Sequence, residues 1–387
     1  MLKNKKLLIV VLINVLIFSI TNVLFNIKYE QVDDFIIYNL YSGLDGTYNM
    51  HGIYIHPLIC FILSIFFKII PSINWHTMFL LISQFMCFTI IGYIIIKKQN
   101  NGISILLYTL FASVFYPTLL MLIQYTSVAA LLILTSVFML MNIIEQKENK
   151  NIKYKILMFL LFLIGIMTRL QSLIIMLPFL GLYLIVNIVK FMKKEKDKEN
   201  VTILIKYYCI YFIIVVVTYI SSSIIYNSNI VYKEYMEFND ARATLHDIIY
   251  VDYEENKEIF DEVGWSKNDH YMFYTFNFGD ENIYSKENIE KILNYKIQKD
   301  GKYNFNISMN KIESDFVSET MNTYTYISIL FVAMFIINLL VNKEKSIFNI
   351  LIFVITVGLH ILFLIIGRSM LRVAIPEYIM RNCTINI

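Results

Sequence analysis

His56-Pro-Leu-Ile-Cys60-Phe-Ile-Leu-Ser-Ile65-Phe-Phe-Lys-Ile-Ile70 is the stretch on which the fold turns. It is strongly apolar and lies between one apolar run at Leu7 to Asn26 and another at Thr77 to Ile96, so hydropathy alone reads it as a membrane crossing. Its length argues against that reading. About 15 residues of helix reach roughly 22 Å, short of a hydrocarbon core of about 30 Å, and Lys68 sits near its end. The lysines decide the matter. They cluster at Lys3, Lys5 and Lys6, at Lys97 and Lys98, from Lys147 to Lys155, from Lys190 to Lys198 and from Lys343 to Lys345. Basic loops stay on the cytoplasmic side, so the apolar material between two clusters crosses an even number of times. A crossing at His56 to Ile70 would put Lys97, Lys98 and the Lys147 to Lys155 cluster outside. The segment is therefore expected to be an interfacial or re-entrant helix on the outer face.

Working outward, the 387 residues have a mean hydropathy of +0.60 with only 16% charged side chains, and they carry several runs long enough to span a bilayer. The fold class expected is an all-α polytopic membrane protein with about nine transmembrane helices. After Leu7 to Asn26 and Thr77 to Ile96, the spans are Ile103 to Ile123, Thr126 to Ile144, Tyr154 to Thr168, Ser172 to Met192, Val201 to Tyr226, Thr323 to Val341 and Ser346 to Ile366. Residues 1–226 form the transmembrane core, with a first outer loop at 27–76. That loop holds two short juxtamembrane helices, one opening at Asp33-Asp34 and the other at His56-Pro57, proline being tolerated in a first turn. Residues 227–322 form an acidic, mostly helical extracytoplasmic domain, and residues 323–387 the last transmembrane helices and an outer tail. The N-terminus is cytoplasmic. Its lysines and apolar run imitate a signal peptide, but no small-residue cleavage site follows, so it reads as a retained helix.

Composition also excludes some functions. A net charge of +3, spread in short clusters between spans, is not that of a nucleic-acid binder. Cys60, Cys87, Cys209 and Cys383 lack metal-ligand spacing and imply no disulfide framework. No internal repeat supports an inverted-repeat transporter. The richness in Ile, Lys and Asn suggests an AT-rich bacterial genome, and hence the bacterial plasma membrane.

Candidate chemistry collects at the outer face. Asp33 and Asp34, adjacent carboxylates beside a span, are a functional-site hypothesis by default, since acids are costly near hydrocarbon; the alternative is a solvated loop or a helix cap. One is expected to be a catalytic base and the other to cap the short helix or hold the first. Arg169, Arg368 and Arg372 break the positive-inside bias. Arginine binds phosphate through paired, charge-assisted bonds, so these three, with Lys68, are candidate phosphate ligands; the alternative is snorkelling to lipid phosphates or pairing with an acid of the outer domain for Arg169, and snorkelling for Lys68. His51, His56, Gln124 and Tyr125 are candidate substrate-binding residues, although a loop histidine more often serves structure, and the histidines lack the spacing of a zinc site. Tyr38, Tyr41, Tyr48, Tyr54 and Trp75 fit an interfacial belt first and a sugar platform second. No metal site or cofactor is expected, though the Asp pair could share a divalent cation.

With these residues in view, the chain resembles the GT-C superfamily of polyprenyl-phosphate-sugar-dependent glycosyltransferases, and more narrowly a group of uncharacterised bacterial membrane proteins of that type. The resemblance rests on Asp33-Asp-Phe-Ile-Ile-Tyr-Asn-Leu-Tyr-Ser-Gly43, on His51 through Trp75, on Gln124-Tyr-Thr126, on Arg242 to Asp247, on Tyr253 to Glu258, on Gly264 to Asp269 and on Gly367-Arg368. It implies a polyprenyl-phosphate sugar donor and a glycan or lipid acceptor of the cell envelope, handled at the outer face of the bilayer. Two departures stand out: Gln124 occupies a loop where many such enzymes carry an acid, and relatives of this kind continue with further spans past Gly367-Arg368, so this chain reads as a shortened copy. The expected function is glycosyl transfer with Asp34 or Asp33 as base. The rivals are a transporter or flippase of a lipid-linked saccharide, using the same arginines without a base, and a non-catalytic polysaccharide-assembly protein.

Overall fold

A computed structural model describes residues 2–30, 32–44, 46–99, 102–146, 152–192, 198–300, 336 and 346–365. These are mostly helical and fall into two compact units, the first built on residues up to Ser222 together with the described residues between Ser318 and His360, the second on the described residues from Ser223 to Val317 and from Ile361. The chain is an all-α membrane protein. Six of its described helices are long and apolar enough to cross a bilayer: α1 (Leu2–Leu24), α4 (Trp75–Gln99), α5 (Gly102–Met121), α6 (Tyr125–Gln146), α8 (Ser172–Met192) and α9 (Lys198–Asn227). The span expected at Thr323 to Val341 lies outside the described residues apart from Ile336. The last one is a helix over Ser346–Ile365, here numbered α14 after α10–α13 given below.

α6 is the axis of the first unit. Every residue of its apolar window is buried, so its neighbours take the lipid-facing positions in its place. α7 (Ile152–Thr168) runs antiparallel along it. Tyr154 accepts a hydrogen bond from Asn142, the Met158 carbonyl accepts one from Ser136 Oγ at 2.6 Å, and Gly165 lies against Ala129 and Ile133. Seventeen residues reach roughly 26 Å, and pairing over that length carries the chain from the far end of α6 back to its start. A Cβ at Gly165 would stand 2.8 Å from Ile133 Cγ1 and 3.0 Å from the Ala129 carbonyl oxygen, so only glycine permits this approach.

The loop between α1 and α4 begins and ends at one end of this bundle. It opens with a two-residue strand, β1 (Lys28–Tyr29), paired in parallel with β2 (Leu122–Ile123) between α5 and α6. It closes where Asn74 donates to the Tyr29 hydroxyl at 3.1 Å and Thr77 meets the same hydroxyl at 2.7 Å. Between these points lie α2 (Val32–Ser42) and α3 (Pro57–Ile69).

α3 starts and stops at that same end. The His56 N–H donates to the Met167 carbonyl at 2.8 Å, while at the other end Trp75 Nε1 donates to the Ile70 carbonyl at 2.9 Å. One face, with Ile59, Leu63 and Phe67, is buried; the other exposes Leu58, Phe61, Ile62, Ile65, Phe66 and Ile69. A helix apolar all round is not at home in water, and thirteen residues reach only about 20 Å.

The second unit carries α10 (Ile230–Asp247), α11 (Lys257–Glu262), α12 (Lys267–Tyr274) and α13 (Lys286–Asp300). They close on an aromatic core around Trp265, with Leu245, Val251, Phe260, Phe273, Tyr284, Ile289 and Ile292. A capping box starts α12, Ser266 and Asp269 satisfying each other's backbone N–H groups.

Candidate active site at the start of helix 6

The strand pairing decides where the Asp pair goes. The Glu30 N–H extends the ladder by donating to the Ile123 carbonyl at 3.0 Å, so the chain enters α2 directly beside the first residue of α6. Asp33 and Asp34 occupy the first turn of α2, where the helix dipole favours negative charge. Asp34, Ile37 and Tyr41 share the buried face at helical spacing, Asp34 being wholly closed to solvent, whereas Asp33 next to it is half-buried.

Asp34 Oδ1 accepts two hydrogen bonds, from His76 Nε2 at 2.9 Å and from the Tyr125 backbone N–H at 3.1 Å. The second is a helix cap made from a distance: the carboxylate satisfies an N–H that α6 cannot satisfy itself, at the positive end of its dipole. On the other side of the ring, His76 Nδ1 meets the Tyr41 hydroxyl. Burial holds the Tyr41 phenol well above its usual range, so it keeps its proton where it meets the ring. Burial also raises Asp34 above the ordinary carboxylate value, with the bonds from His76 and Tyr125 pulling the other way. Asp34 Oδ2 is buried and has no hydrogen-bond partner among the described residues.

Tyr125 links this acid to a cation. Its N–H holds Asp34 while its hydroxyl accepts from Arg169 Nη1 at 2.8 Å. The guanidinium lies 4.3 Å from the Tyr54 ring centroid and 5.5 Å from that of Tyr125, the two rings being near parallel at 13°. Arg169 has no carboxylate partner among the described residues, and the remaining N–H groups of its fork are left for an anion. Such stacking holds the fork in one orientation without neutralising it.

The turn that presents Tyr54 is strained. Ile53 adopts φ +58°, rare for a β-branched residue, and the Tyr54 N–H closes a tight turn onto the Gly52 carbonyl at 2.6 Å. Gly52 has no room for a side chain, since a Cβ would stand 2.6 Å from Cys60 Sγ. Strain of this kind persists where surroundings enforce it, and here they press Tyr54 onto Arg169.

The remaining candidates divide into structural and peripheral ones. Gln124 is closed to solvent and caps α6, its Oε1 accepting from the N–H groups of Thr126 and Ser127, while its Nε2 has no partner among the described residues. His56 is the N-cap of α3: Nδ1 accepts from the Leu58 N–H at 3.2 Å and Nε2 faces Ser221 Oγ at 3.0 Å. Burial lowers its pKa, as it does that of His51, whose Nδ1 lies 3.0 Å from Asn49 Oδ1. Lys68 is exposed, 4.8 Å over the Tyr48 ring. Arg368, Arg372 and Asp45 lie outside the described residues.

The structure thus brings together Asp33, Asp34, Gln124, Tyr125 and Arg169, from α2, the start of α6 and the turn after α7. The sequence places His76 at the outer face and Tyr41 and Tyr54 in an aromatic belt, without joining them to the Asp pair or to Arg169. The seven-residue spacing of Asp34 and Tyr41, two turns of helix, was the available signal. No group of three or more His, Cys, Asp or Glu side chains suited to a metal ion occurs among the described residues. Comparison with protein-family models, with curated proteins and with solved structures yields no match to the chain.

Proposed function

We propose that the chain is a GT-C-like membrane glycosyltransferase, moving a sugar from a polyprenyl-phosphate donor to a glycan or lipid acceptor. The observation that carries this reading is Tyr125, which fixes Asp34 at its backbone N–H, and with it the first turn of α2 that bears Asp33, and an unneutralised arginine at its hydroxyl. Glycosyl transfer from a lipid phosphate needs those two groups together. The acceptor hydroxyl loses its proton to a carboxylate as its oxygen bonds to the anomeric carbon, and the bond from that carbon to the phosphate oxygen breaks, leaving its electron pair on a phosphate that a cation stabilises.

Asp33 is the base in this scheme, because it is the half-exposed member of the pair. Asp34, closed to solvent and committed to His76 and the start of α6, is a positioning residue that sets the angle of α2. Arg169 receives the phosphate, its fork held by Tyr54 and Tyr125. Arg368, Arg372 and Lys68 supply further positive charge in the same reading. A divalent cation shared by Asp33 and the phosphate would fit the chemistry without altering these roles. With the lysine clusters cytoplasmic, this site and residues 227–322 face the outside of a bacterial plasma membrane.

The test is transfer itself. Membranes containing the chain, supplied with radiolabelled polyprenyl-phosphate sugars, are expected to label an envelope acceptor, and Asp33→Asn to slow labelling about a hundredfold or more. Labelling that survives Asp33→Asn combined with Asp34→Asn would overturn the mechanism, and movement of the lipid-linked sugar across the bilayer without transfer would identify a carrier.

A further inference from the structure

The second unit carries a feature that its own folding does not explain. α12 ends in a Schellman motif, with the Asn277 N–H donating to the Met272 carbonyl at 2.8 Å and the Phe276 N–H to the Phe273 carbonyl at 3.1 Å. The residue after such a cap takes a left-handed backbone and is usually glycine. Here it is Phe276, at φ +63°. An aromatic residue there is held in a strained backbone, and burial does not offset the strain, since Phe276 is 62% exposed.

The ring does have neighbours. Its centroid lies 4.0 Å from that of His246, which lies 5.6 Å from Tyr274, which in turn lies 5.0 Å from Tyr250. Tyr250 is 60% exposed, so the four rings form a continuous strip with an open aromatic face at each end. A carboxylate borders it: Asp247 Oδ1 lies 2.8 Å from His246 Nδ1. Tyr274 is pinned beneath, its hydroxyl donating to the Leu245 carbonyl at 3.3 Å and accepting from the Val251 N–H at 3.2 Å.

Charge narrows the choice of ligand. Residues 230–300 hold 16 Asp and Glu against 8 Lys and Arg, and Arg242 is buried with Asn239 rather than offered to solvent. A field of that sign repels anionic head groups, polyphosphates and nucleic acids. A cation gains little at the strip itself, because its one bordering acid, Asp247, is already engaged by His246, so the ligand that fits best is a neutral molecule with both an apolar face and hydroxyl groups. A pyranose has both: its C–H bonds pack on the electron-rich face of an aromatic ring, and its hydroxyls donate to a carboxylate. We propose that the Phe276–His246–Tyr274–Tyr250 strip is a saccharide-binding surface for a neutral glycan chain. It belongs to the second unit and holds whether or not the transfer site of the first unit is catalytic.

The full chain in nanodiscs of neutral phosphatidylcholine is titrated by calorimetry with chitohexaose and with maltohexaose. At least one is expected to bind in the millimolar range or tighter, and Tyr250→Ala and Phe276→Gly each to weaken it about fivefold or more. Phe276→Gly makes the test sharp, because glycine suits the left-handed backbone and the thermal stability is expected to hold or rise while binding falls. Tyr271→Ala is the control: Tyr271 is 64% exposed and stacks on none of the four rings, so binding should not change. The proposal is overturned if neither oligosaccharide binds at about 10 mM, if binding is indifferent to Phe276→Gly, or if the two ring variants alter adsorption to vesicles and not saccharide binding.

Discussion

His76 Nε2 lies 2.9 Å from Asp34 Oδ1, with both side chains wholly closed to solvent. The contact joins α4 to α2, and Asp34 uses the same oxygen to hold the first N–H of α6. Asp34→Ala would leave two buried donors without acceptors, each costing about 1–3 kcal/mol. A clear fall in melting temperature is expected when thermal unfolding is followed in detergent. Asp33→Ala removes a half-buried carboxylate and is expected to lower the melting temperature less than Asp34→Ala while abolishing transfer. Equal loss of stability in the two variants would mean that the pair acts as one structural unit.

Arg169 stands on the turn between α7 and α8, stacked on Tyr54 and bonded to Tyr125. Lysine keeps the charge but neither stacks nor offers a fork, so Arg169→Lys is not a conservative change here. Weaker donor use is expected, about tenfold in kcat/KM, with little change in melting temperature. Tyr54→Ala should reproduce part of that loss by letting the guanidinium swing. Steady-state transfer assays check both; an Arg169→Lys enzyme with unaltered donor kinetics would remove the arginine from the phosphate site.

His56 gives the fold a pH dependence whose sign follows from its role. As N-cap of α3 it accepts from the Leu58 N–H through Nδ1, which only the unprotonated nitrogen can do. Burial lowers its pKa from the usual 6.5. Its contribution is therefore complete above about pH 6.5 and is lost as the pH falls through the lowered folded-state value. A cap of this kind contributes about 1 kcal/mol. Melting temperature measured from pH 7.5 downwards should fall more steeply for the wild type than for His56→Asn, which keeps an acceptor but does not titrate.

These residues also mark how far the sequence could be read. The spans at α1, α4, α5, α6, α8 and α9 were legible because their length and apolarity follow from the bilayer and need no tertiary contact. The helix starting at His56-Pro57 was legible for the same local reason, a cap followed by proline. The two-residue ladder between Lys28–Tyr29 and Leu122–Ile123 was not, since so short a strand has no periodicity. Nor was the role of Gln124, which reads as a substrate-binding residue of a loop and is a buried cap. His76 was invisible as a partner of Asp34 because 42 residues and a helix reversal separate them. Only a fold that returns α4 to the start of α2 makes them neighbours.

That return is open to a direct check. Both ends of α3 are fastened at one end of the bundle, by His56 to Met167 and by Ile70 to Trp75 at the start of α4. Leu44, 62% exposed in the loop before α3, and Lys97 near the far end of α4 should therefore lie on opposite sides of the membrane. In a background with Cys60, Cys87, Cys209 and Cys383 replaced by serine or alanine, a membrane-impermeant maleimide added to intact cells is expected to label Leu44→Cys. Lys97→Cys should react only after the cells are opened. If both label from the same side, α3 crosses the bilayer after all; the Asp pair and Arg169 would then stand on opposite faces, and no single site could use them together.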